Sequence, residues 1–350
     1  MVFPFFDGHN DTILKLYMNK DMDFFKESNQ GHLDEARAKR AGFSGGFFAI
    51  FPPPHADLSV PNPEEHLTEK GYDAPLAEPA DHEACLKVTN DMVELLYSIE
   101  AQSNERLNIV KNITELRKTL KNEQMAAILH FEGAEAIKPD LSNLESFYKK
   151  GLRSIGLVWS RPNSFAQGVP YRFPSTPDIG SGLSEAGVNL VKKCNNLGIM
   201  LDTSHLNENG FWDVVKHSDA PIVATHSNAH SLCPISRNLT DEQLEAVRES
   251  NGVVGITYSV NMLRTDGKMN QKTSLDEVAA HIRYITDTIG IDHVALGSDF
   301  DGTTLPYDMK DVTGVPKVFE LLKEQGFSEE DLKKVAQDNW IRVLNETWKS

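Results

Sequence analysis

Eight short apolar segments, separated by stretches with helical periodicity, constrain the fold of this sequence most strongly. Each is rich in Val, Ile, Leu or Phe and ends at Gly, Pro or a polar residue, which is typical of a buried strand. The segments cover residues 2–6, 45–51, 125–131, 152–158, 199–201, 221–224, 253–258 and 293–296. This alternation predicts an α/β fold, a (β/α)8 TIM barrel, rather than a doubly wound sheet. Because no linker or repeat interrupts it, we expect a single barrel domain over residues 1–350 that ends in C-terminal helices.

Helix boundaries are visible as capping residues at the ends of several periodic stretches. They are an N-cap at Asp81, an N-cap at Ser184 with a terminal glycine at Gly198, a capping box at Thr240 and Gln243, a helix over 274–289, and two helices over 316–343 around Gly326. By contrast, Asp7-Gly8 predicts a turn after the first strand. Residues 52–79 lack periodicity and predict a long surface loop, which would be either a lid or a solvated insertion.

The charge of the chain limits its partners. With 51 acidic and 35 basic residues, its formal net charge is −16, which argues against binding to nucleic acid or to an anionic membrane. No apolar run reaches the length of a membrane span, and the first residues do not resemble a signal peptide. Cys85, Cys194 and Cys233 are widely spaced and form no C-x-x-C pair, so we expect reduced, packed thiols. These features predict a cytoplasmic protein.

Several catalytic motifs are absent from the sequence. There is no P-loop and no G-x-S-x-G elbow. Gly180-Ser181-Gly182 lacks the third glycine of a dinucleotide fingerprint, and His82-Glu83 lacks the second histidine of H-E-x-x-H. NTP hydrolysis, hydride transfer and serine-type acyl transfer therefore lose support.

Side chains that can bind metal follow several of the predicted strands. They are His9 and Asp11 after the first, Glu132 after the third, His205 and His226 after the fifth and sixth, and Asp299 after the eighth. The carboxyl ends of barrel strands meet at one mouth, where such enzymes carry out their chemistry, so we expect these residues to converge. Imidazole and carboxylate together suit zinc or a similar ion. Glu132 is placed to bridge two ions, which in two-metal hydrolases lie about 3.5–4 Å apart.

Each of these residues also has an ordinary structural explanation when it is taken alone. A His-x-Asp pair such as His9 and Asp11 is often only a hydrogen bond. Taken alone, Glu132 is more typical of a helix-capping carboxylate than of a metal ligand, and His205 is also consistent with a buried histidine whose hydrogen bonds are satisfied. Their joint placement at strand ends is what favours a metal centre.

Six short motifs together resemble those of the membrane (renal) dipeptidase family of metallopeptidases, which belongs to the amidohydrolase-like, metal-dependent hydrolase barrels. The motifs are Asp7-Gly8-His9-Asn10-Asp11, Glu132-Gly133, Asp202-Thr203-Ser204-His205, Thr225-His226-Ser227, Arg237-Asn238 and Gly297-Ser298-Asp299-Phe300-Asp301-Gly302. The similarity extends from about Phe6 to the C-terminal helices. It is specific in order and context, although no single motif would suffice.

The resemblance implies two zinc ions (Zn2+) per chain. His9 and Asp11 would hold one, His205 and His226 the other, and Glu132 would bridge them and so take part in catalysis. Members of the family often form homodimers, and a homodimer is therefore a further expectation.

The resemblance also implies roles for two other charged residues. Asp299 matches the acid/base aspartate of the family, and Arg237 matches the arginine that grips the terminal carboxylate of the substrate. A guanidinium fork suits that task because it can donate two parallel hydrogen bonds.

One position departs from the family pattern. Animal members carry a histidine at the end of the fourth strand, and here Trp159 stands in its place, followed by Asn163 in a similar local pattern. An indole donates a single hydrogen bond and cannot carry a proton as imidazole does. We therefore expect a different substrate pocket, with contacts from Trp159, Asn163 and Tyr258.

These expectations combine into a zinc-dependent dipeptidase that hydrolyses the amide bond of short peptides with a metal-bridged hydroxide, with Asp299 passing the proton to the leaving amine. The resemblance also suggests that a D-residue is tolerated in the second position. Trp159 keeps open a related two-metal amidohydrolase that acts on N-acyl amino acids or other small amides. A non-catalytic binding barrel is a further alternative, and a phosphoesterase is disfavoured because such sites usually hold more basic residues.

Overall fold

The computed structural model describes residues 3–53 and 61–349. The strands in these ranges, in chain order, are β1 (Phe5–Asn10), β2 (Phe43–Ile50), β3 (Tyr72–Asp73), β4 (Leu107–Ile109), β5 (Met125–Phe131), β6 (Leu152–Gly156), β7 (Arg172–Phe173), β8 (Met200–Asp202), β9 (Val223–Ala224), β10 (Val253–Ile256) and β11 (Val294–Leu296). The helices are α1 (Thr12–Met18), α2 (Glu35–Ala41), α3 (His82–Gln102), α4 (Ile113–Lys121), α5 (Leu144–Lys149), α6 (Glu185–Leu197), α7 (Glu208–His217), α8 (Asp241–Glu249), α9 (Val260–Leu263), α10 (Leu275–Ile289), α11 (Val315–Glu324), α12 (Glu329–Lys333) and α13 (Asn339–Thr347).

Eight of these strands close into a parallel barrel. The order around the barrel is β1, β2, β5, β6, β8, β9, β10 and β11, and β11 pairs again with β1. The TIM barrel predicted from the sequence is thereby confirmed, and all eight predicted strands overlap with these eight. Outside the ring, β4 pairs with the first residues of β5, and β3 and β7 form a small antiparallel sheet. The single-domain organisation stays a prediction.

The predicted turn at Asp7-Gly8 is wrong, because β1 continues through both residues. A Cβ at Gly8 would lie 2.5 Å from the backbone oxygen of Thr225 and 2.5 Å from the indole of Trp340. Glycine is needed here for a close approach inside the barrel rather than for a turn. The strand therefore carries its polar residues directly to the barrel mouth.

The barrel interior below the strand ends is filled with apolar side chains. Phe6, Phe47, Ile128 and Met200 belong to one buried cluster, which Trp340 from α13 completes. Trp340 is fully buried, and its Nε1 donates a hydrogen bond of 3.0 Å to the backbone oxygen of the last residue of β11. In the same helix, Asn339 Nδ2 donates to the backbone oxygen of Val294, the first residue of β11, at 2.8 Å, and Arg342 Nη2 donates to that of Gly252, just before β10, at 3.2 Å. The last helix therefore lies at the amino ends of the barrel strands, opposite the functional side chains.

Most predicted helix boundaries are confirmed. Asp81 accepts a hydrogen bond from the backbone of α3, Ser184 does the same for α6, Thr240 and Gln243 form a capping box, and Gly198 is left-handed with φ 73°. The two helices predicted around Gly326 are α11 and one continuous helical stretch over 329–347, in which a π-helical turn, Lys334–Asp338, joins α12 to α13. Among the described residues, no helix combines the length and the apolarity of a membrane span.

The predicted loop over 52–79 is only partly described, because residues 54–60 lie outside the described residues. The rest is more regular than expected, since Tyr72 in β3 pairs with Phe173 in β7. Both rings pack in an apolar cluster with Cys233, whose Sγ donates to the backbone oxygen of Asn261 at 3.3 Å. All three cysteines are buried and free, as predicted.

Candidate metal centre and active site

The predicted metal-binding side chains meet at the carboxyl ends of the barrel strands. His9 lies near the end of β1, Glu132 directly follows β5, His205 and His226 follow β8 and β9, and Asp299 follows β11. The register between β1 and β2 shifts in the stretch that contains His9. Such an irregularity re-aims side chains at a strand end.

Glu132 lies at the centre of this cluster. Its Oε2 is 3.5 Å from His9 Nε2, while its Oε1 is 3.1 Å from His205 Nε2 and 3.7 Å from His226 Nε2. On the far side, His9 Nε2 is also 3.5 Å from Asp11 Oδ2. The two oxygens of one carboxylate therefore face two separate groups of ligand atoms, which is the geometry of a bridging ligand.

The chemistry of these donors fits divalent cations. The Nε2 atoms of His205 and His226 are 3.0 Å apart, so the two imidazoles point toward the same space. Within the described residues, His9 Nε2 and Asp11 Oδ1 are buried without a hydrogen-bond partner. Buried polar atoms of this kind are costly unless something binds them. Nitrogen and carboxylate oxygen are the donors that zinc accepts alongside thiolate.

The pKa shifts in the cluster bear on its ability to bind a cation. Burial raises the pKa of Glu132, but His9 and His205 outweigh it and hold that pKa well below its ordinary value. Burial lowers the pKa of His205 to about 4 and that of His226 well below its ordinary value. Burial lowers the pKa of His9, but Glu132 and Asp11 outweigh it and raise that pKa well above its ordinary value. The centre therefore offers an ionised carboxylate and the two neutral imidazoles of His205 and His226, whereas His9 would have to release a proton to bind a cation.

Hydroxyl groups hold the outer nitrogens of two imidazoles. His205 Nδ1 lies 2.9 Å from Ser160 Oγ, and His226 Nδ1 lies 2.9 Å from Thr225 Oγ1. Such contacts orient a ligand ring toward the ion. Neither hydroxyl was predicted to have a role, although Thr225 belongs to a motif that the sequence made visible.

Asp299 lies beside His9 and Asp11, the first group of candidate ligands. One carboxylate oxygen of Asp299 lies within 4.8 Å of ligand atoms of both His9 and Asp11. Its backbone is left-handed, with φ 61°, and its N–H donates to the backbone oxygen of His9 at 3.0 Å. Burial raises the pKa of the Asp299 carboxyl well above its ordinary value, His9 opposes this shift, and Asp11 and Glu132 add to it. A carboxyl with a raised pKa is suited to exchanging protons.

A pair of buried groups clamps the loop that carries Asp299. The Asp7 carboxylate accepts hydrogen bonds of 2.7 Å from both the backbone N–H and the hydroxyl of Ser298. These contacts fix the residue directly before Asp299. Sequence reasoning missed this role because the predicted turn at Asp7 concealed it.

Arg237 is a buried cation near the second group of ligands. Its Nη2 donates to the backbone oxygen of His226 at 3.5 Å, and among the described residues its Nε has no hydrogen-bond partner and no carboxylate pairs with it. Tyr171 lies beside it: burial raises the pKa of Tyr171 to about 12, and the Arg237 guanidinium opposes that shift. No sequence signal pointed to Tyr171. The unpaired guanidinium can accept an anionic group of a ligand.

Trp159 forms an aromatic wall next to the centre. Its ring lies 5.7 Å from that of His205, 5.2 Å from Phe51 and 6.5 Å from Tyr171. The half-buried indole therefore borders the space above His205 and makes this side of the site apolar.

Asn163 and Tyr258, which were also predicted to contact the substrate, make contacts within the fold. Asn163 Nδ2 donates to the backbone oxygen of Leu157 at 2.7 Å, and its Oδ1 accepts from the backbone of Phe165 at 2.9 Å. Tyr258 is fully buried, its ring packs against Phe300, and its hydroxyl has no partner among the described residues. Direct substrate contact by either residue stays a prediction.

Comparison with known proteins gives this geometry a family context. The family model described as membrane dipeptidase (peptidase family M19) matches residues 1–349. An uncharacterized protein in the pqqA 5′ region of Klebsiella pneumoniae is 43% identical over 254 residues, which are 73% of this chain and 94% of that protein. Dipeptidase tcpJ of Claviceps purpurea (strain 20.1) is 26% identical over 346 residues, which are 97% of this chain and 76% of its own.

Two solved structures are similar over the whole length. A metallo peptidase from Rhodobacter sphaeroides, liganded with a phosphinate mimic of the dipeptide L-Ala-D-Ala, has a TM-score of 0.93 and 42% identity, with 99% of this chain and 100% of that one covered. The dipeptidase AC, a metallo peptidase of family M19, has a TM-score of 0.94 and 42% identity, with both chains fully covered. The family is one of metallopeptidases, so this chain binds metal, and its His, Asp and Glu clusters are the candidate ligands.

Proposed function

This chain belongs to the membrane dipeptidase family of metallopeptidases and is a metallo-dipeptidase; from that premise, we propose that it uses two zinc ions and accepts dipeptides with a D-residue in the second position. The alternatives of a non-catalytic barrel and of an amidohydrolase with other substrates lose their support. The observation that carries the proposal is the position of the Glu132 carboxylate between two groups of ligand atoms.

The proposal of two ions rests on Glu132 because its two carboxylate oxygens face different imidazoles. His9 and Asp11 would hold one ion, His205 and His226 the other, and Glu132 would bridge them. When bound, the metal pair supplies a water of lowered pKa and polarises the scissile carbonyl. Glu132 is thus both a ligand and a member of the catalytic group.

Two side chains would act on the substrate directly. Asp299, with its raised pKa, takes a proton from the attacking water and delivers it to the leaving amine. Arg237 binds the C-terminal carboxylate, because it is a buried guanidinium with unused donors. Recognition of that carboxylate holds the scissile amide beside the centre and restricts hydrolysis to short peptides.

The Rhodobacter sphaeroides relative supports a D-residue in the second position, since its ligand mimics L-Ala-D-Ala. In this chain, the apolar wall of Trp159, Phe51 and Tyr171 would pack against an apolar substrate side chain. A homodimer and a cytoplasmic location stay predictions, and sedimentation equilibrium of the purified protein would test the first.

A substrate panel tests the proposal. Metal-depleted protein is assayed on L-Ala-L-Ala, L-Ala-D-Ala, the C-terminal amide of each dipeptide and N-acetyl-alanine, with and without added zinc. We expect zinc-dependent hydrolysis of both dipeptides, at least equal rates for the L,D form, and little hydrolysis of the amides. Binding of about one ion per chain at full activity would contradict the two-metal proposal. Faster hydrolysis of N-acetyl-alanine than of either dipeptide would contradict the substrate.

A further inference from the structure

Behind the metal centre lies a buried carboxylate that takes no part in the proposed hydrolysis. We propose that Asp202 is a positioning residue which, through the hydroxyl of Thr225, fixes the tautomer of His226 so that the Nε2 lone pair faces the metal. The inference rests on the proposed role of His226 as a ligand. It concerns a hydrogen position that exists whether or not metal is bound.

The carboxylate of Asp202 is enclosed by donors. Asp202 is the last residue of β8 and is 2% exposed. Its Oδ1 accepts backbone hydrogen bonds from Ser204 at 2.9 Å and from Thr225 at 2.8 Å. Its Oδ2 accepts the hydroxyl of Thr225 at 2.6 Å. Backbone donors therefore hold Oδ1 in place, and Oδ2 accepts the hydrogen bond from the hydroxyl of Thr225.

The hydroxyl of Thr225 links the Asp202 carboxylate to His226 and sets the direction of the hydrogen bonds between them. A hydroxyl has one hydrogen, and a carboxylate only accepts, so Thr225 Oγ1 gives its hydrogen to Asp202. His226 Nδ1, 2.9 Å away, must then be the donor to Thr225 Oγ1. With the ring hydrogen on Nδ1, the lone pair of the neutral imidazole lies on Nε2, the atom that faces Glu132. A carboxylate that orients a metal-binding histidine is a recurring device, here extended by one hydroxyl.

The same carboxylate also lies next to a second histidine. His130 Nε2 is 3.6 Å from Asp202 Oδ2, and His130 Nδ1 is 2.9 Å from Ser154 Oγ. Potential metal-binding atoms of His9, His130 and Asp202 all lie within 4.8 Å of one another. Asp202 Oδ2 thus faces both His130 Nε2 and the hydroxyl of Thr225.

The geometry makes an asparagine substitution especially informative. In Asp202→Asn, the side-chain oxygen must stay where two backbone N–H groups donate, so the amide nitrogen takes the place of Oδ2. That nitrogen would donate to Thr225 Oγ1, whose own hydrogen would then turn toward His226 Nδ1. The ring hydrogen would move to Nε2, which cannot bind metal in that form. A change of one atom should therefore reverse the hydrogen-bond chain.

Zinc affinity, measured by competition with a chromogenic chelator in the absence of substrate, tests the proposal. We expect about a 10-fold loss for Thr225→Val, about a 100-fold loss for Asp202→Asn, and less than about a threefold change for Thr225→Ser, which keeps the hydroxyl. Equal losses in Thr225→Val and Thr225→Ser, or wild-type affinity in both Thr225→Val and Asp202→Asn, would overturn it. If Asp202→Asn does not fold, the threonine pair decides.

Histidine side-chain NMR of 15N-labelled, metal-free protein gives a second readout. Its wild-type spectrum should show His226 with the hydrogen on Nδ1, and Asp202→Asn should move it to Nε2. A wild-type His226 with its hydrogen on Nε2 would overturn the proposal. If the wild-type chain binds no zinc at all, the metal proposal fails, and the NMR result still tests the hydrogen-bond chain by itself.

Discussion

At the scale of single residues, the candidate active site is crowded, and neighbouring carboxylates lie close together. Gly302 shows how close the packing is, because a Cβ there would lie 2.1 Å from Asp11 Oδ2 and 2.5 Å from Asp299 Oδ1. The two carboxylates can approach each other only because this position has no side chain. Substitutions that keep the size of the side chain and the backbone conformation can therefore remove a chemical group without disturbing the packing.

Asp299→Asn should keep the metal and lose turnover. Asparagine tolerates the left-handed backbone that Asp299 adopts, so the loop should keep its conformation. It cannot exchange a proton, and loss of an acid/base group usually lowers kcat by about 10²–10⁴-fold. Zinc content and kcat for L-Ala-D-Ala measure the two effects. If kcat stays within a few-fold of wild type with full metal content, Asp299 is not the acid/base group.

Arg237→Met should weaken binding of substrates with a free C-terminal carboxylate. Removing one partner of a buried charge pair costs about 2–5 kcal/mol, so kcat/KM should fall by at least about 30-fold. The fall should appear mainly in KM, and the C-terminal amides should be hardly affected. Arg172→Met is the matched control, since Arg172 is half-exposed and pairs with Asp73 in the β3–β7 sheet. An equal loss on acids and amides would contradict the carboxylate contact.

At the level of secondary-structure elements, β1 combines packing and function in six residues. Its start fills the barrel interior with Phe6, its middle passes close to Trp340 at Gly8, and its end presents His9. Asp7 on the same strand holds the loop of Asp299 through Ser298. A substitution that distorts β1 should therefore lower both the stability of the fold and the rate of catalysis.

Gly8→Ala should destabilise the fold. The new methyl would meet the backbone of Thr225 and the indole of Trp340 at 2.5 Å, and overpacking of this kind costs about 1–3 kcal/mol. Gly156→Ala is the matched control, because a Cβ in that buried strand would meet only ordinary contacts at 3.6 Å or more. Unfolding in urea measures both variants. Equal stability of the two would show that the barrel relaxes around residue 8.

The sequence predicts elements whose cause is local and misses those whose cause is distant. The caps at Asp81, Ser184 and Thr240 were predictable because a capping side chain bonds to a backbone only a few residues away. The predicted turn at Gly8 is wrong because the groups that it packs against, Thr225 and Trp340, lie more than two hundred residues away in the chain. The short strand β3 was missed because it depends on pairing with β7, which no local pattern announces.

At the level of the whole molecule, the barrel explains why the convergence of the candidate metal ligands could be predicted from the sequence. His9, Glu132, His205 and His226 lie far apart in sequence, yet each comes at or after a strand end, and a barrel brings all strand ends to one mouth. The hydroxyls of Ser160 and Thr225 and the ring of Tyr171 could not be assigned in the same way. Serine, threonine and tyrosine are too common at strand ends and in loops for their type alone to indicate a contact.

Zinc should stabilise the whole fold, because its proposed ligands lie in or after four different strands, β1, β5, β8 and β9. A ligand at 1,000 times its Kd adds about 4 kcal/mol to the free energy of unfolding, and Tm should rise by several degrees when metal-depleted protein is refilled. Calorimetry with zinc titration measures the shift. Glu132→Gln, which weakens the bridge between the two groups of ligands, should show a much smaller rise. An equal rise in Glu132→Gln would mean that the stabilising zinc binds elsewhere on this acidic chain.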